Sequence, residues 1–132
     1  METPKLKKQP LDVLVLDDDP DLCMLMESML RIGKFKAARF TNPDLLKSTL
    51  DSFAPSIILM DMMLSGQDGR ELCRKLKTDP ETSFIKIMMI SADPDAETSC
   101  RNSLANDFLN KPFELNALLE KVGRLITDSH AI

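Results

Sequence analysis

SIILMDMMLSG, residues 56–66, is the stretch that decides the fold: an unbroken apolar run leads into Asp61, and a turn containing Gly66 follows. A short apolar run bounded by turn residues is typical of a strand buried on both faces, as in a parallel sheet. Such a strand delivers its last residue to the carboxyl edge of the sheet, where open α/β folds place their ligand sites. Asp61 is therefore either a turn-forming residue or a functional carboxylate, and the residues at the ends of the other strands distinguish the two.

Outward from this strand, predicted strands and helices alternate along the chain. The predicted strands are residues 11–16, 37–40, the run ending at Asp61, 85–90 and 107–110. Strands that alternate with helices imply right-handed crossovers and a mainly parallel sheet covered on both sides. The sequence therefore predicts one doubly wound α/β domain, (βα)5, with a five-stranded parallel sheet and helices on both faces. We expect residues 1–10 to be a flexible leader, 11–127 the domain and 128–132 a polar tail.

The helices differ in how clearly the sequence marks them. The first is predicted to have Asp19 as its N-cap, to end at Gly33 and to bury Leu22, Leu25, Met26, Met29 and Leu30. The second is predicted to open at Pro43 and to bury Leu45, Leu46, Thr49, Leu50 and Phe53. Asp68 is the predicted cap of the third helix. Residues 93–104 hold few apolar side chains, so we predict a fourth helix that is short, irregular or mobile.

Composition restricts the class of protein. Charged residues make up 29% and hydrophobic residues 43% of the 132 positions, which is ordinary for a soluble domain. A net charge of −4 argues against nucleic-acid binding by this domain. The chain shows no apolar run long enough to span a bilayer and no signal peptide, so no membrane association is expected. Three widely spaced cysteines without metal-ligand spacing are expected to be buried hydrophobic residues in a reducing cytoplasm.

Polar residues follow four of the predicted strands. Asp17 and Asp18 follow the first strand, Asp61 ends the third, Ser91 follows the fourth and Lys111 follows the fifth. Because parallel strands end at the same edge of a sheet, these side chains are expected to converge. Each residue taken alone is readily explained as turn chemistry. Their joint placement at one edge favours a functional site.

The converging residues predict a particular chemistry. Three crowded carboxylates repel one another, which raises their pKa values unless a cation neutralises them. Oxygen ligands without His or Cys suit a hard ion, and Mg²⁺ fits best. Asp61 can act as a nucleophile, since carboxylates form aspartyl-phosphate intermediates. Lys111 would neutralise phosphoryl oxygens and Ser91 would donate a hydrogen bond to them.

Four ordered motifs give the chain a family resemblance. They are VLDDD at 15–19, LMDM at 59–62 with GQDG at 66–69, MISA at 89–92 and DFLNKPF at 107–113. With these motifs, residues 10–127 resemble the CheY-like receiver domain of response regulators in two-component signalling. The resemblance implies a sheet of order 2-1-3-4-5, and a phosphoprotein that takes part in a cytoplasmic phosphorelay.

The resemblance also implies roles for the site residues. Asp61 would accept a phosphoryl group from a histidine kinase or a histidine phosphotransfer protein, and an unknown downstream protein would read the result. Asp18, Asp61 and the backbone carbonyl of Met63 would ligate Mg²⁺, with Asp17 helping directly or through water. The phosphoryl group would be bound by Ser91, Ala92, Met62 and Lys111.

A conformational switch is implied as well. Ser91 and Phe108 would be the switch pair, reorienting when the phosphoryl group arrives, and the Lys111–Pro112 bond is expected to be cis. Two residues depart from the family pattern: Ser65 stands where proline is usual, and Phe108 replaces the commoner tyrosine. The segment from Ser91 to Lys111 is also shorter than usual.

Three function classes remain open at this point. The leading hypothesis is a phosphorylatable switch that catalyses only its own phosphorylation and dephosphorylation and is not otherwise an enzyme. The second is a pseudo-receiver that binds proteins without needing phosphate. The third is a turnover phosphatase with an aspartyl intermediate, which the lack of an evident second general acid or cap domain disfavours.

Overall fold

The structure, a computed structural model, describes residues 8–130. The strands are β1 (Gln9–Leu16), β2 (Ala37–Phe40), β3 (Phe53–Asp61), β4 (Met63–Leu64), β5 (Gln67–Asp68), β6 (Lys86–Ser91) and β7 (Asp107–Asn110). The helices are α1 (Pro20–Ile32), α2 (Leu46–Ser52), α3 (Gly69–Thr78), α4 (Ala96–Asn102) and α5 (Leu115–His130), with a 3₁₀ turn at Pro43–Leu45.

Five of the strands form one parallel sheet of order β2-β1-β3-β6-β7. This order confirms the expected doubly wound arrangement, with β3 at the centre. The short strands β4 and β5 were not predicted, and they form a separate antiparallel hairpin directly after β3. The ends of the central strands lie level, because Leu16 pairs with Met60 and Asp61 pairs with Ile90.

Strand β3 is buried on both faces, as its apolar run predicts. Ile58 and Met60 belong to the hydrophobic cluster on one side of the sheet, and Ile57 and Leu59 belong to the cluster on the other side. Side chains alternate along a strand, so two covered faces require an uninterrupted apolar sequence. Burying each of these side chains contributes about 1.5–3 kcal/mol, which fixes the strand that carries Asp61 at the centre of the domain.

Helix α1 begins and ends where the sequence predicts. The side chain of Asp19 accepts hydrogen bonds from the amides of Asp21 and Leu22, and Gly33 is the C-cap. A Cβ at Gly33 would lie 2.6 Å from the side chain of Leu119, so the helix end packs closely against α5 and a larger residue would require Leu119 to shift. The predicted burial of Leu25 is wrong, since this side chain is half exposed.

The second helix differs from its prediction at both ends. The 3₁₀ turn precedes α2, and Leu45 is half exposed instead of buried, because three residues per turn do not keep the α-helical spacing that the prediction assumes. Phe53 belongs to β3 and not to the helix, because it pairs with Gln9 of β1. That pairing also starts β1 two residues before the predicted Leu11.

The expected ends of the domain fall partly outside the described residues. Positions 1–7 of the predicted leader and positions 131–132 of the predicted tail lie outside them. Of the remaining leader positions, Gln9 and Pro10 are part of β1. Positions 128–130 of the predicted tail continue α5.

Helix α4 is short, as predicted, with seven residues. It is tied to α3 by two arginines: Arg70 donates to the hydroxyl of Ser99, and Arg74 donates to the carbonyl of Asn102, both at 3.2 Å. The helix buries little apolar surface of its own, with Ala96 and Cys100 as its buried side chains. These hydrogen bonds therefore supply part of what holds it in place.

Candidate functional site

The carboxyl edge of the parallel sheet carries the candidate site. Asp17 follows β1, Asp61 ends β3, Ser91 ends β6 and Lys111 follows β7, so the strand order brings these residues to one place. A cleft of about 410 Å³ opens at this edge, lined by Asp61, Met62, Met63, Ser91, Ala92, Asp93 and Lys111. Residues from three separate segments of the chain thus line one cleft.

Lys111 makes the central contact of the site. Its ammonium group donates a hydrogen bond to Oδ2 of Asp61 and lies 3.5 Å from Oδ2 of Asp17. The backbone amide of Lys111 donates to the carbonyl of Ser91 at 2.8 Å, and the Lys111–Pro112 bond is cis, as expected. Burial acts to lower the pKa of Lys111, but the hydrogen bond and charge of Asp61 outweigh it and raise that pKa.

Asp61 is held from its backbone side and faces the cleft. It is 7% exposed, and its Oδ1 accepts a hydrogen bond from the amide of Met63 at 2.8 Å. Behind it, the amide of Gly69 donates to the carbonyl of Met62. A Cβ at Gly69 would lie 2.4 Å from the carbonyl oxygen of Asp61, so only glycine permits α3 to start this close to β3.

Asp17 is the most deeply buried acid of the site, with 1% of its surface exposed. Burial is the main cause that raises its pKa to about 6, the amide of Asp19 acts against that rise, and repulsion by Asp61 adds to it. The Asp19 amide donates to Oδ1 of Asp17 at 2.9 Å. The two carboxylates of Asp17 and Asp61 therefore compete for the single ammonium of Lys111, and the crowding that the sequence predicts is present.

Asp18 points to a different partner. Its Oδ2 accepts a hydrogen bond at 2.6 Å from the hydroxyl of Ser65, which lies in the turn between β4 and β5. Nothing in the sequence indicates this contact, because the sequence does not predict the hairpin that carries Ser65. No motif indicates a side-chain pairing across 47 positions.

Of the predicted phosphate-binding and switch residues, some line the cleft and others are engaged in the sheet or buried in the core. The Ser91 hydroxyl accepts a hydrogen bond from the amide of Asp93 at 3.0 Å, and Ala92 lines the cleft. The amide of Met62 donates to the carbonyl of Ile90 at 2.9 Å, so this donor is engaged with the sheet. Phe108 is buried in the cluster on the α4 side, on the face of the sheet to which Ser91 also points.

The donor set fits a hard divalent cation in its chemistry. Asp17, Asp18 and Asp61 offer only oxygen ligands, and a cation would offset the burial and the repulsion by Asp61 that raise the pKa of Asp17. Among residues 8–130, however, no three His, Cys, Asp or Glu side chains form a ready group for a metal ion. Lys111 bridges Asp17 and Asp61, so its contacts have to adjust for all three acids to meet one ion.

Comparison with known proteins identifies the family. Residues 13–123 match the response regulator receiver domain family, and the chain belongs to it. The chain is 31% identical over 113 residues to the nisin biosynthesis regulatory protein NisR of Lactococcus lactis subsp. lactis, covering 83% of this chain and 48% of that protein. It is also 31% identical, over 112 residues, to the DNA-binding response regulator MtrA of Mycolicibacterium smegmatis, again covering 83% of this chain and 48% of that protein.

Solved structures show the same fold. The receiver domain of the sensor histidine kinase PA1611 of Pseudomonas aeruginosa PAO1 has a TM-score of 0.78 and 23% identity, covering 92% of this chain and 99% of that chain. That crystal structure has a magnesium ion coordinated in its active-site cleft. The chain spans about half the length of the curated relatives it matches.

Two sequence predictions concern membranes and nucleic acid. Over positions 8–130, every helix falls short of the length and apolarity needed to cross a membrane. Two relatives are named as DNA-binding, and the match extends over only about half of each. The absence of nucleic-acid binding by this domain therefore stays a prediction. The three cysteines, by contrast, are buried and unbridged, as predicted.

Proposed function

We propose that this protein is a phosphoacceptor switch in which Asp61 takes a phosphoryl group from a histidine kinase or a histidine phosphotransfer protein. The observation that carries the proposal is the contact of the Lys111 ammonium with the Asp61 carboxylate, beside the buried Asp17, in an open cleft. A carboxylate fixed at the end of the central strand and lining an open cleft is suited to attack an electrophilic phosphorus.

The transfer balances without a further reactant. An oxygen of Asp61 forms a bond to phosphorus as the phosphorus–nitrogen bond of the donor phosphohistidine breaks, and the electron pair leaves with the imidazole, which takes up a proton. Lys111 then pairs with a phosphoryl oxygen instead of the carboxylate. Charge stabilisation of this kind, with accurate positioning, is the main demand of phosphoryl transfer.

The acids of the site are the residues that would hold Mg²⁺. They are Asp17, Asp18 and Asp61, together with the backbone carbonyl of Met63. Mg²⁺ held there would supply positive charge that offsets the charges of the phosphoryl oxygens and of the acids. The chemistry of the donor set and the crowding at Asp17 support this assignment.

The output of the switch is a change of conformation. Ser91 and Phe108 lie on the same face of the sheet, so a shift of the Ser91 hydroxyl towards the phosphoryl group would be coupled to the packing of the buried Phe108 ring. Phosphorylation would thereby favour a minor conformer that an unknown downstream protein recognises. The protein would catalyse only its own phosphorylation and dephosphorylation, and its unbridged cysteines support a cytoplasmic location.

Acetyl phosphate tests the proposal without a cognate kinase. Incubation with acetyl phosphate and Mg²⁺ should add about 80 Da to the intact protein, the mass of one phosphoryl group. The adduct should be absent in Asp61→Asn and retained in Asp19→Asn, a control in which asparagine serves equally well as an N-cap. An unmodified wild type would favour the pseudo-receiver, and an adduct retained in Asp61→Asn would contradict the assignment of the nucleophile.

A further inference from the structure

The hydrogen bond between Ser65 and Asp18 joins two loops at the edge of the site. The hydroxyl of Ser65, in the turn between β4 and β5, donates to Oδ2 of Asp18 at 2.6 Å. Ser65 is exposed and Asp18 is only partly buried, so neither group needs this partner to avoid a buried unpaired atom. The contact therefore calls for an explanation beyond the satisfaction of buried polar groups.

The backbone of the turn does not require serine at position 65. Leu64 and Gln67 pair across the hairpin, and Gly66 has a φ of 72°, the left-handed value that favours glycine at the third residue of a turn. The second residue of such a turn accepts most side chains, and proline is favoured there. What serine supplies at this position is its hydroxyl group.

The three acids of the site share one feature. Each has one carboxylate oxygen held by a hydrogen bond: the amide of Asp19 donates to Asp17, the amide of Met63 to Asp61, and the hydroxyl of Ser65 to Asp18. Such a bond restricts rotation of the carboxylate, and the second oxygen can still accept a partner, as Oδ2 of Asp17 and Oδ2 of Asp61 do with Lys111. Two of the donors are backbone amides, which a substitution of the side chain leaves in place. The third donor is the Ser65 side chain.

We propose that Ser65 is a positioning residue for the cation site, and that its hydroxyl orients Asp18 so that the free oxygen is directed towards Mg²⁺. This proposal rests on the proposed function, in which Asp18 is a ligand of the ion. Hydrogen-bond partners of ligating carboxylates commonly strengthen metal binding because they hold the ligand in place. Ser65 therefore tunes the affinity of the site for the ion without touching the ion itself.

Calorimetric titration with Mg²⁺ tests the proposal directly, and it suits a chain that has no tryptophan to report binding. Ser65→Ala and Ser65→Pro both remove the hydroxyl. Of the two, only Ser65→Pro also introduces the residue that this turn position favours. Each should weaken Mg²⁺ binding by roughly threefold to tenfold, as expected for one exposed hydrogen bond to a charged ligand. Ser65→Thr keeps a hydroxyl and should bind Mg²⁺ within about twofold of the wild type.

A second background separates positioning from a general effect on the fold. In Asp18→Ala, the addition of Ser65→Ala should change Mg²⁺ affinity no further, since the carboxylate that Ser65 orients has been removed. Circular dichroism of each metal-free variant checks that the fold is intact. An additive loss in the double variant would overturn the proposal.

The outcomes distinguish this proposal from the one on which it rests. A wild type that binds Mg²⁺ and is phosphorylated at Asp61, with Ser65→Ala or Ser65→Pro binding as tightly or more tightly, would overturn the role of Ser65 alone. A wild type that binds no Mg²⁺ would overturn both. Weaker binding in the two hydroxyl-free variants and rescue by Ser65→Thr would support the positioning role.

Discussion

Replacing Asp17 by asparagine should stabilise the metal-free protein at neutral pH. Asp17 is 1% exposed, and burial together with repulsion by Asp61 raises its pKa to about 6 from the ordinary 3.8. That difference corresponds to a cost of about 3 kcal/mol for keeping the ionised carboxylate in the folded protein at pH 7. Asparagine removes the charge, and its side-chain oxygen can still accept the hydrogen bond from the Asp19 amide.

The expected gain is smaller than the full cost. Asp17→Asn also removes the longer of the two carboxylate contacts of Lys111, at 3.5 Å. We therefore expect the free energy of unfolding to rise by about 1–3 kcal/mol, and Tm by roughly 3–9 °C. Urea denaturation followed by circular dichroism, in the presence of a chelator, measures the change.

The stabilisation by Asp17→Asn should depend on pH. The folded protein binds the Asp17 proton more tightly than the unfolded chain, so the cost is fully present above the folded pKa of about 6 and is lost as the pH falls towards 3.8. The stability gain of Asp17→Asn should therefore be largest at pH 7.5 and small at pH 4.5. Asp19→Asn, at an exposed cap, should show no such pattern. A variant less stable than the wild type at pH 7.5, or a gain equal at both pH values, would refute the reasoning.

Three further substitutions can be measured by the same denaturation assay. Gly69→Ala should lower the free energy of unfolding by about 1–3 kcal/mol, because its Cβ would lie 2.4 Å from a backbone oxygen. Gly123→Ala has no atom within 4 Å of its Cβ and should raise the free energy of unfolding by about 0.5–1 kcal/mol, because alanine favours the helix. Equal effects of the two would contradict the close approach. Asp107→Ala should cost about 1–3 kcal/mol, since this buried acid accepts from Arg101 and Lys121; a neutral result would show that these pairs contribute little.

The fold could be predicted from the sequence because its strongest signals are local. The run before Asp61 is long enough to mark a strand covered on both faces, and Asp19 and Gly33 mark the ends of α1. The same local rules fail to predict the burial or secondary structure of a residue where these depend on contacts with another segment. Leu25 has the sequence spacing of a buried residue, because it continues the apolar stripe of α1. In the structure it lies at the surface, beside the loop that carries Pro112.

Pairing between distant segments accounts for the other errors. Phe53 has the spacing of a helical residue, and only its pairing with Gln9 makes it the start of β3. The hairpin of β4 and β5 consists of two-residue strands, which are too short to produce a periodic pattern. The fourth helix was predicted correctly as short, because its lack of apolar residues is itself a local property.

The same distinction applies to the site. The convergence of Asp17, Asp61 and Lys111 follows from strand ends alone, since parallel strands share one carboxyl edge. The hydrogen bond from Ser65 to Asp18 depends on the exact path of a turn, and sequence patterns do not define that path. The engagement of the Met62 amide with Ile90 has the same origin, because it extends a strand pairing past the predicted strand end.

The central claim is that Asp61 carries the phosphoryl group, and chemical trapping tests it most directly. Borohydride reduces an acyl phosphate on aspartate to the alcohol of homoserine, and tandem mass spectrometry of the digested protein then locates the modified position. After exposure to acetyl phosphate and Mg²⁺, we expect homoserine at position 61 and nowhere else, and none when a chelator replaces Mg²⁺. Homoserine at another aspartate, or at no position under conditions that label a known receiver domain, would contradict the account.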